Sequence, residues 1–117
     1  MTRIIIEPIP HQFQRYDTTG DWYFDAAGDL VIKVSGVDAI DQDEVFLVAL
    51  HELVEAKLCH RAGITQGAVD HFDLSWSGEG EPGDSPDAPY MQQHRKAMLI
   101  EHLMADFLGL CRYGSVE

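Results

Sequence analysis

The sequence predicts an α+β domain in which a small, mostly antiparallel N-terminal sheet packs on a central helix and on a second, long C-terminal helix. Runs of β-branched and aromatic residues are confined to the first third of the chain, and two long apolar-periodic segments follow it. A length of 117 residues suits one domain with one core, and no repeat or linker divides the chain. We therefore expect a single domain with a β-rich part (1–37), a first helix (41–62), a loop (75–89) and a second long helix (90–110).

The β-rich part contains three candidate strands. Arg3–Ile9 is a β-branched run interrupted by proline, which is typical of a strand at the edge of a sheet. A turn is expected over Asp17–Asp21. Beyond it, Trp22–Asp25 and Leu30–Ser35 flank a short polar stretch containing Gly28, and this arrangement predicts a β-hairpin.

The helices carry start and stop signals. Asp41 can cap the first helix, with Glu44 three residues later as in a capping box, and Gly63 is a suitable end. Thr65 can cap a short helix that follows. The next stretch, 75–89, is rich in Gly, Pro and acidic residues, and its length is typical of a lid or another mobile loop.

The charge balance narrows the choice of partners. The chain has 8 basic and 20 acidic residues, a formal net charge of −12, so clustered Lys and Arg for binding phosphate are lacking and we expect no nucleic-acid partner. No stretch approaches the roughly 20 apolar residues of a membrane span, and the N-terminus lacks the features of a secretory signal. We expect a cytoplasmic protein without a membrane partner, whose two cysteines, Cys59 and Cys111, are reduced. The oligomeric state is not predicted.

One short motif contains candidate metal ligands and a candidate general base. His51, Glu52 and Glu55 lie inside the apolar segment Val45–Leu58, where a buried carboxylate needs a proton, a partner or a metal ion to compensate its charge. Residues four apart lie on nearly the same helix face, so His51 and Glu55 can present a nitrogen and an oxygen to one point. Glu52 lies about 100° around the helix and can flank that point. The order His-Glu-x-x-Glu therefore predicts a divalent metal site with a neighbouring general base.

A third ligand is expected from the second long helix. Its otherwise apolar stripe contains two polar residues, His94 and Glu101, which lie about 10 Å apart along a helix axis and can hardly bind one ion together. We favour His94 as the ligand because it follows the flexible loop, and we keep Glu101 as an alternate ligand or an outer group. His71, in the polar cluster after Thr65, is the substitute third ligand.

The segment Val48–Ala56 resembles the active-site helix of zincin-like metallopeptidases, whose motif is His-Glu-x-x-His. The resemblance implies a metal-dependent hydrolase or peptidase in which His51 and Glu55 bind the ion, with Glu52 as general base. Glu55 stands where that family has its second histidine, and a harder oxygen ligand shifts preference from zinc toward Mn, Mg or Fe. Zinc remains the expected cofactor. The chain as a whole, including Asp87–Tyr90 before the second long helix, also resembles small phage or prophage proteins of unassigned function.

The sequence is also compatible with other substrates and functions. A peptide or protein substrate could be aligned by strand addition at an exposed edge of Leu30–Ser35. Alternatively, Glu52 and Glu55 could join Glu101 and Asp106 in an acidic Mg²⁺ cluster, as in nucleotide pyrophosphohydrolases. A third possibility is a non-catalytic, acidic interaction protein with a structural or degenerate metal site.

Overall fold

The computed structural model describes residues 3–36 and 42–110. Two short 3₁₀ turns, His11–Phe13 and Pro82–Asp84, accompany three strands and three helices. The strands are β1 (Ile4–Ile9), β2 (Gly20–Phe24) and β3 (Leu30–Ser35), and the helices are α1 (Asp43–Ala62), α2 (Gln66–Ser75) and α3 (Met91–Phe107). The predicted α+β class is confirmed.

The three strands form one sheet in the order β1-β3-β2. The hairpin is present as predicted, with β2 antiparallel to β3 and Trp22 opposite Ile32. β1 occupies an edge, also as predicted, but it runs parallel to β3, with Ile6 opposite Ile32. The sheet is therefore mixed rather than mostly antiparallel, because the connection 10–19 carries the chain across the width of a strand and β3 then fills the space between β1 and β2.

The central position of β3 corrects one functional expectation. Leu30–Ser35 is paired on both sides, so its backbone has no exposed edge on which a peptide could add as a further strand. Leu30, Ile32 and Val34 are correspondingly buried. The outer strand of the hairpin is β2, and its first residue, Gly20, lines the cavity described below.

Helix α1 lies between the sheet and α3, and it packs on both. Burial on two sides explains why its apolar residues are spread around the helix instead of forming one stripe. The core joins residues of the sheet, of α1 and of the segments that follow it: Trp22, Leu30, Ile32, Val34, Val45, Ala49, Ala56, Cys59, Val69, Ala88 and Tyr90.

The helix ends follow most of the sequence signals. Gln42 occupies the N-cap position of α1 without a side-chain hydrogen bond, and the predicted cap Asp41 lies outside the described residues. Gly63 ends α1 with φ 76°, a left-handed conformation that favours glycine. The Thr65 hydroxyl accepts a hydrogen bond from the Ala68 N–H and caps α2. None of the described helices combines the length and apolar character needed to cross a bilayer.

Candidate metal centre

Three side chains from two helices converge on one point. His51 and Glu55 lie one turn apart on α1, and His94 reaches them from α3. The Glu55 Oε2 atom lies 3.3 Å from His51 Nε2 and 2.9 Å from His94 Nδ1, and the two nitrogens are 3.2 Å apart. All three side chains are buried. The structure thus brings together two imidazole nitrogens and one carboxylate oxygen.

These separations suit a bound divalent ion. Bonds of about 2.0–2.1 Å in a tetrahedral zinc site place neighbouring donor atoms about 3.3 Å apart. The three observed distances, 2.9, 3.2 and 3.3 Å, fall within about 0.4 Å of that value. An ion therefore needs only a small adjustment of the three side chains.

Two further residues orient the donors. The Trp22 indole Nε1–H donates to Glu55 Oε1 at 3.0 Å, which leaves Oε2 as the oxygen directed at the two histidines. The His51 Nδ1–H donates to Glu101 Oε1 at 2.7 Å, so Nε2 is the nitrogen that faces Glu55. A carboxylate on the distal nitrogen of a ligating histidine is the usual arrangement in metal sites, because it sets the tautomer and the ring orientation.

His94 is positioned by the loop that precedes α3. Gly83, in the second 3₁₀ turn, packs so closely on the imidazole that a Cβ there would lie 2.5 Å from His94 Cγ. On the far side of the ring, Nε2 lies 3.2 Å from the exposed Asp84 Oδ1, at an angle that does not make a hydrogen bond. The Tyr90 ring, one helical turn before His94, contacts its edge.

Hydrogen bonds within the cluster shift the pKa values of His51 and Glu55 in opposite directions. Burial acts to lower the pKa of His51, but hydrogen bonds with Glu101 and Glu55 outweigh it and raise this pKa to about 10. Burial acts in the opposite direction on Glu55, and hydrogen bonds from His51 and His94 lower its pKa to about 2. In the metal-free protein a proton on His51 therefore compensates the buried carboxylates, and an ion binding here would replace that proton.

Glu52 lies next to the three donors without joining them. Its Oε2 atom is 4.0 Å from His51 Nε2, and no described side chain forms a hydrogen bond with it. Burial and the charge of Glu55 raise the pKa of Glu52 well above its usual value. Gly20 on β2 makes room for this side chain, because a Cβ there would lie 2.7 Å from Val48 and 2.9 Å from Glu52.

The cluster forms one wall of a cavity of about 500 Å³, a size typical of small-molecule and peptide sites. No lysine or arginine of the described residues lines it. The lining comes from the connection before β2, from all three helices and from the loop before α3: Tyr16, Thr18, Thr19, Gly20, Glu44, Val48, His51, Glu52, Glu55, Asp73, Glu81, Pro82, Gly83, Tyr90, His94, Met98, Glu101 and His102.

The alternate metal ligands predicted from the sequence, Glu101 and His71, lie at different distances from the site. Glu101 reaches the site as a hydrogen-bond partner of His51, on the side of the ring away from the other donors. His71 is exposed on α2 and does not line the cavity, and the structure therefore does not bring this substitute ligand to the site. Asp106 is also exposed, so the acidic cluster required for a pyrophosphohydrolase does not form.

Several residues of the site were not recognised in the sequence. Four of these residues contribute through tertiary contacts that no local pattern marks: Trp22, Gly83, Tyr16 and Tyr90. His102 is half-buried and also lines the cavity, although the sequence motif gave it no role. The only available signal was its position one residue after Glu101, on the helix that supplies His94.

Comparisons with protein-family models, with curated proteins and with solved structures give no match.

Proposed function

We propose that this protein is a metal-dependent hydrolase of zincin-like type, with His51, Glu55 and His94 as the metal ligands and Glu52 as the general base. The observation that carries this proposal is the convergence of three buried donor atoms, 2.9–3.3 Å apart, on the wall of a cavity. Catalytic zinc sites use three protein ligands and keep a further position for water or substrate. A purely structural zinc site has four protein ligands, and the described residues bring three together.

The three donor atoms suit zinc and are also compatible with other divalent ions. Two nitrogens and one carboxylate oxygen are a ligand set used by zinc hydrolases, while the oxygen also admits Mn or Fe. A divalent ion bound here would polarise a water molecule and a substrate carbonyl group. It would also offset the charges of the buried carboxylates, for which no described lysine or arginine lines the cavity.

We propose that Glu52 moves the proton. Its carboxyl group lines the cavity beside the donors, where it could accept a proton from a bound water molecule and return it to the leaving group. Trp22 and Glu101 hold Glu55 and His51 in their orientations, so the geometry is established before a substrate enters. We propose a peptide substrate, because the edge strand β2 begins at the cavity and can align an extended chain.

The first test is the metal content of the purified protein. We expect wild type to retain about one zinc ion per chain after dialysis, and His51→Ala and His94→Ala to lose it. His60→Ala is the matched control, because His60 is an exposed histidine on α1. Loss of metal from all three variants alike, or from none, would contradict the assignment.

The second test separates metal binding from turnover. Glu52→Gln preserves the shape of the side chain but cannot accept the proton, so we expect it to keep the metal and lose hydrolysis of a mixed quenched-peptide library. Hydrolysis at the wild-type rate by Glu52→Gln would refute the role of this residue.

A second candidate is a non-catalytic interaction protein with the same metal site. The outer face of α3 favours it, since Leu99 and Phe107 are 69% and 73% exposed and Leu103 lies between them. Metal binding without turnover in wild type would support this alternative.

A further inference from the structure

A buried carboxylate stands in the cavity away from the metal ligands. Asp73 of α2 is 9% exposed, and its two oxygens accept hydrogen bonds from the phenols of Tyr16 and Tyr90. These three residues come from the connection before β2, from α2 and from the start of α3, and all three line the cavity. The carboxylate is therefore held in place by the tertiary structure.

Asp73 has no counter-charge among the described residues. Both of its partners are neutral phenols, and the guanidinium of Arg15 is engaged with Asp21 and Asp70 at 2.7–3.1 Å. Burial raises the pKa of Asp73 to about 6 in spite of the two phenols. An ionised carboxylate offers about four acceptor positions, so Asp73 can still accept from a ligand.

Glu52 adds a second buried acceptor in the same cavity, 4.0 Å from His51 Nε2. It is also 9% exposed, and no described side chain donates a hydrogen bond to it. The remaining walls carry Glu44 and Glu81, no described lysine or arginine lines the cavity, and the proton on His51 offsets only one of its carboxylates. A ligand that fits this cavity therefore brings hydrogen-bond donors and positive charge, and anionic ligands such as nucleotides are repelled.

The geometry points to a substrate with a cationic side chain, an ammonium or a guanidinium, that pairs with Asp73 while the bond to be hydrolysed lies at the metal site. This inference rests on the proposed hydrolase function and names its substrate class, peptides with a basic residue at the reacting bond. The Tyr90 ring connects the two positions, because its hydroxyl binds Asp73 and its ring lies 6.3 Å from that of His94. Asp73 is therefore about one aromatic side chain away from the metal ligands.

The test uses small probes of matched length with the zinc-loaded full chain. Binding of Nα-acetyl-lysine amide, Nα-acetyl-norleucine amide and Nα-acetyl-glutamate amide is measured by NMR titration in wild type, Asp73→Asn and Asp87→Asn. Asp87 is the matched control, because it is exposed outside the cavity and its replacement changes the net charge equally. We expect the lysine probe to bind at least tenfold more tightly than norleucine in wild type and in Asp87→Asn, and within twofold of it in Asp73→Asn.

Equal binding of the lysine and norleucine probes by wild type overturns the inference, and so does a lysine preference that Asp73→Asn retains. The wild-type series decides the first point even if Asp73→Asn does not fold. The second point is then decided in wild type, where the lysine probe should shift the NMR signals of Asp73 and Tyr90 and leave those of Asp87 unchanged. A lysine preference that depends on Asp73 without any peptide hydrolysis refutes the hydrolase and leaves the cation site. Hydrolysis without a preference for lysine refutes the cation site alone.

Discussion

Replacing Gly83 by alanine tests whether the position of His94 is necessary for metal binding. An alanine Cβ at this position would lie 2.5 Å from His94 Cγ, 2.6 Å from Nδ1 and 3.0 Å from Cβ. Ordinary contacts between carbon atoms are about 3.5–4.0 Å, so the ring must move by about 1 Å. Because the clash includes the Cβ atom of His94, rotation of the imidazole alone cannot relieve it.

The size of the expected effect follows from this displacement. Metal–ligand distances tolerate about 0.2 Å, so a shift of about 1 Å removes His94 Nδ1 from the position it needs. We expect zinc affinity to fall about 10- to 100-fold, or about 1.4–2.7 kcal/mol. Overpacking of this kind destabilises a fold by about 1–3 kcal/mol, so the melting temperature should fall by roughly 4–12 °C.

Gly67→Ala is the control for this substitution. Gly67 lies in α2, and the nearest atom to its added Cβ would be 3.9 Å away. Neither glycine has a positive φ, so alanine is compatible with the backbone at both positions. Zinc affinity is measured by competition with a chelator, and stability by thermal unfolding of the metal-free protein. Wild-type zinc affinity in Gly83→Ala would refute the assignment of His94 as a ligand, whereas Gly67→Ala should bind zinc normally.

Three further outcomes are expected. Gly20→Ala should lower turnover while zinc stays bound, because its Cβ would displace Glu52 and not the three donors; a loss of zinc, measured by elemental analysis, would contradict this. Trp22→Phe removes the hydrogen bond to Glu55 Oε1 and should weaken zinc binding about tenfold, as calorimetry can determine. The pKa of His51 is about 10 in the folded, metal-free protein against about 6.5 when unfolded, so its stabilising effect is complete below pH 6.5 and is lost as pH rises through 10. Urea titrations of the metal-free protein should show wild type losing more stability than His51→Gln across that window, and parallel curves would disprove the role of this proton.

Local patterns were sufficient for the elements of the fold and for part of the site. The hairpin, the edge strand β1, the cap at Thr65 and the end of α1 at Gly63 each depend on contacts within a few residues, and the structure has them where the patterns indicated. The spacing of His51 and Glu55 already placed both on one helix face, because a helix repeats every 3.6 residues. His94 was selected as a polar residue in an apolar stripe, and the structure places it with the other two.

The arrangement of these parts in space required the tertiary structure. The parallel pairing of β1 with β3 depends on the path of the connection 10–19, which no periodicity encodes. His51 and Glu101 are 50 residues apart, and His51 and His94 are 43 apart, so which α3 residue binds an ion and which orients a ligand depends on the packing of α1 against α3. Residue type and spacing determine what a side chain can do along its own helix. Whether two distant side chains meet depends on how helices and strands pack, and that is a property of the whole chain.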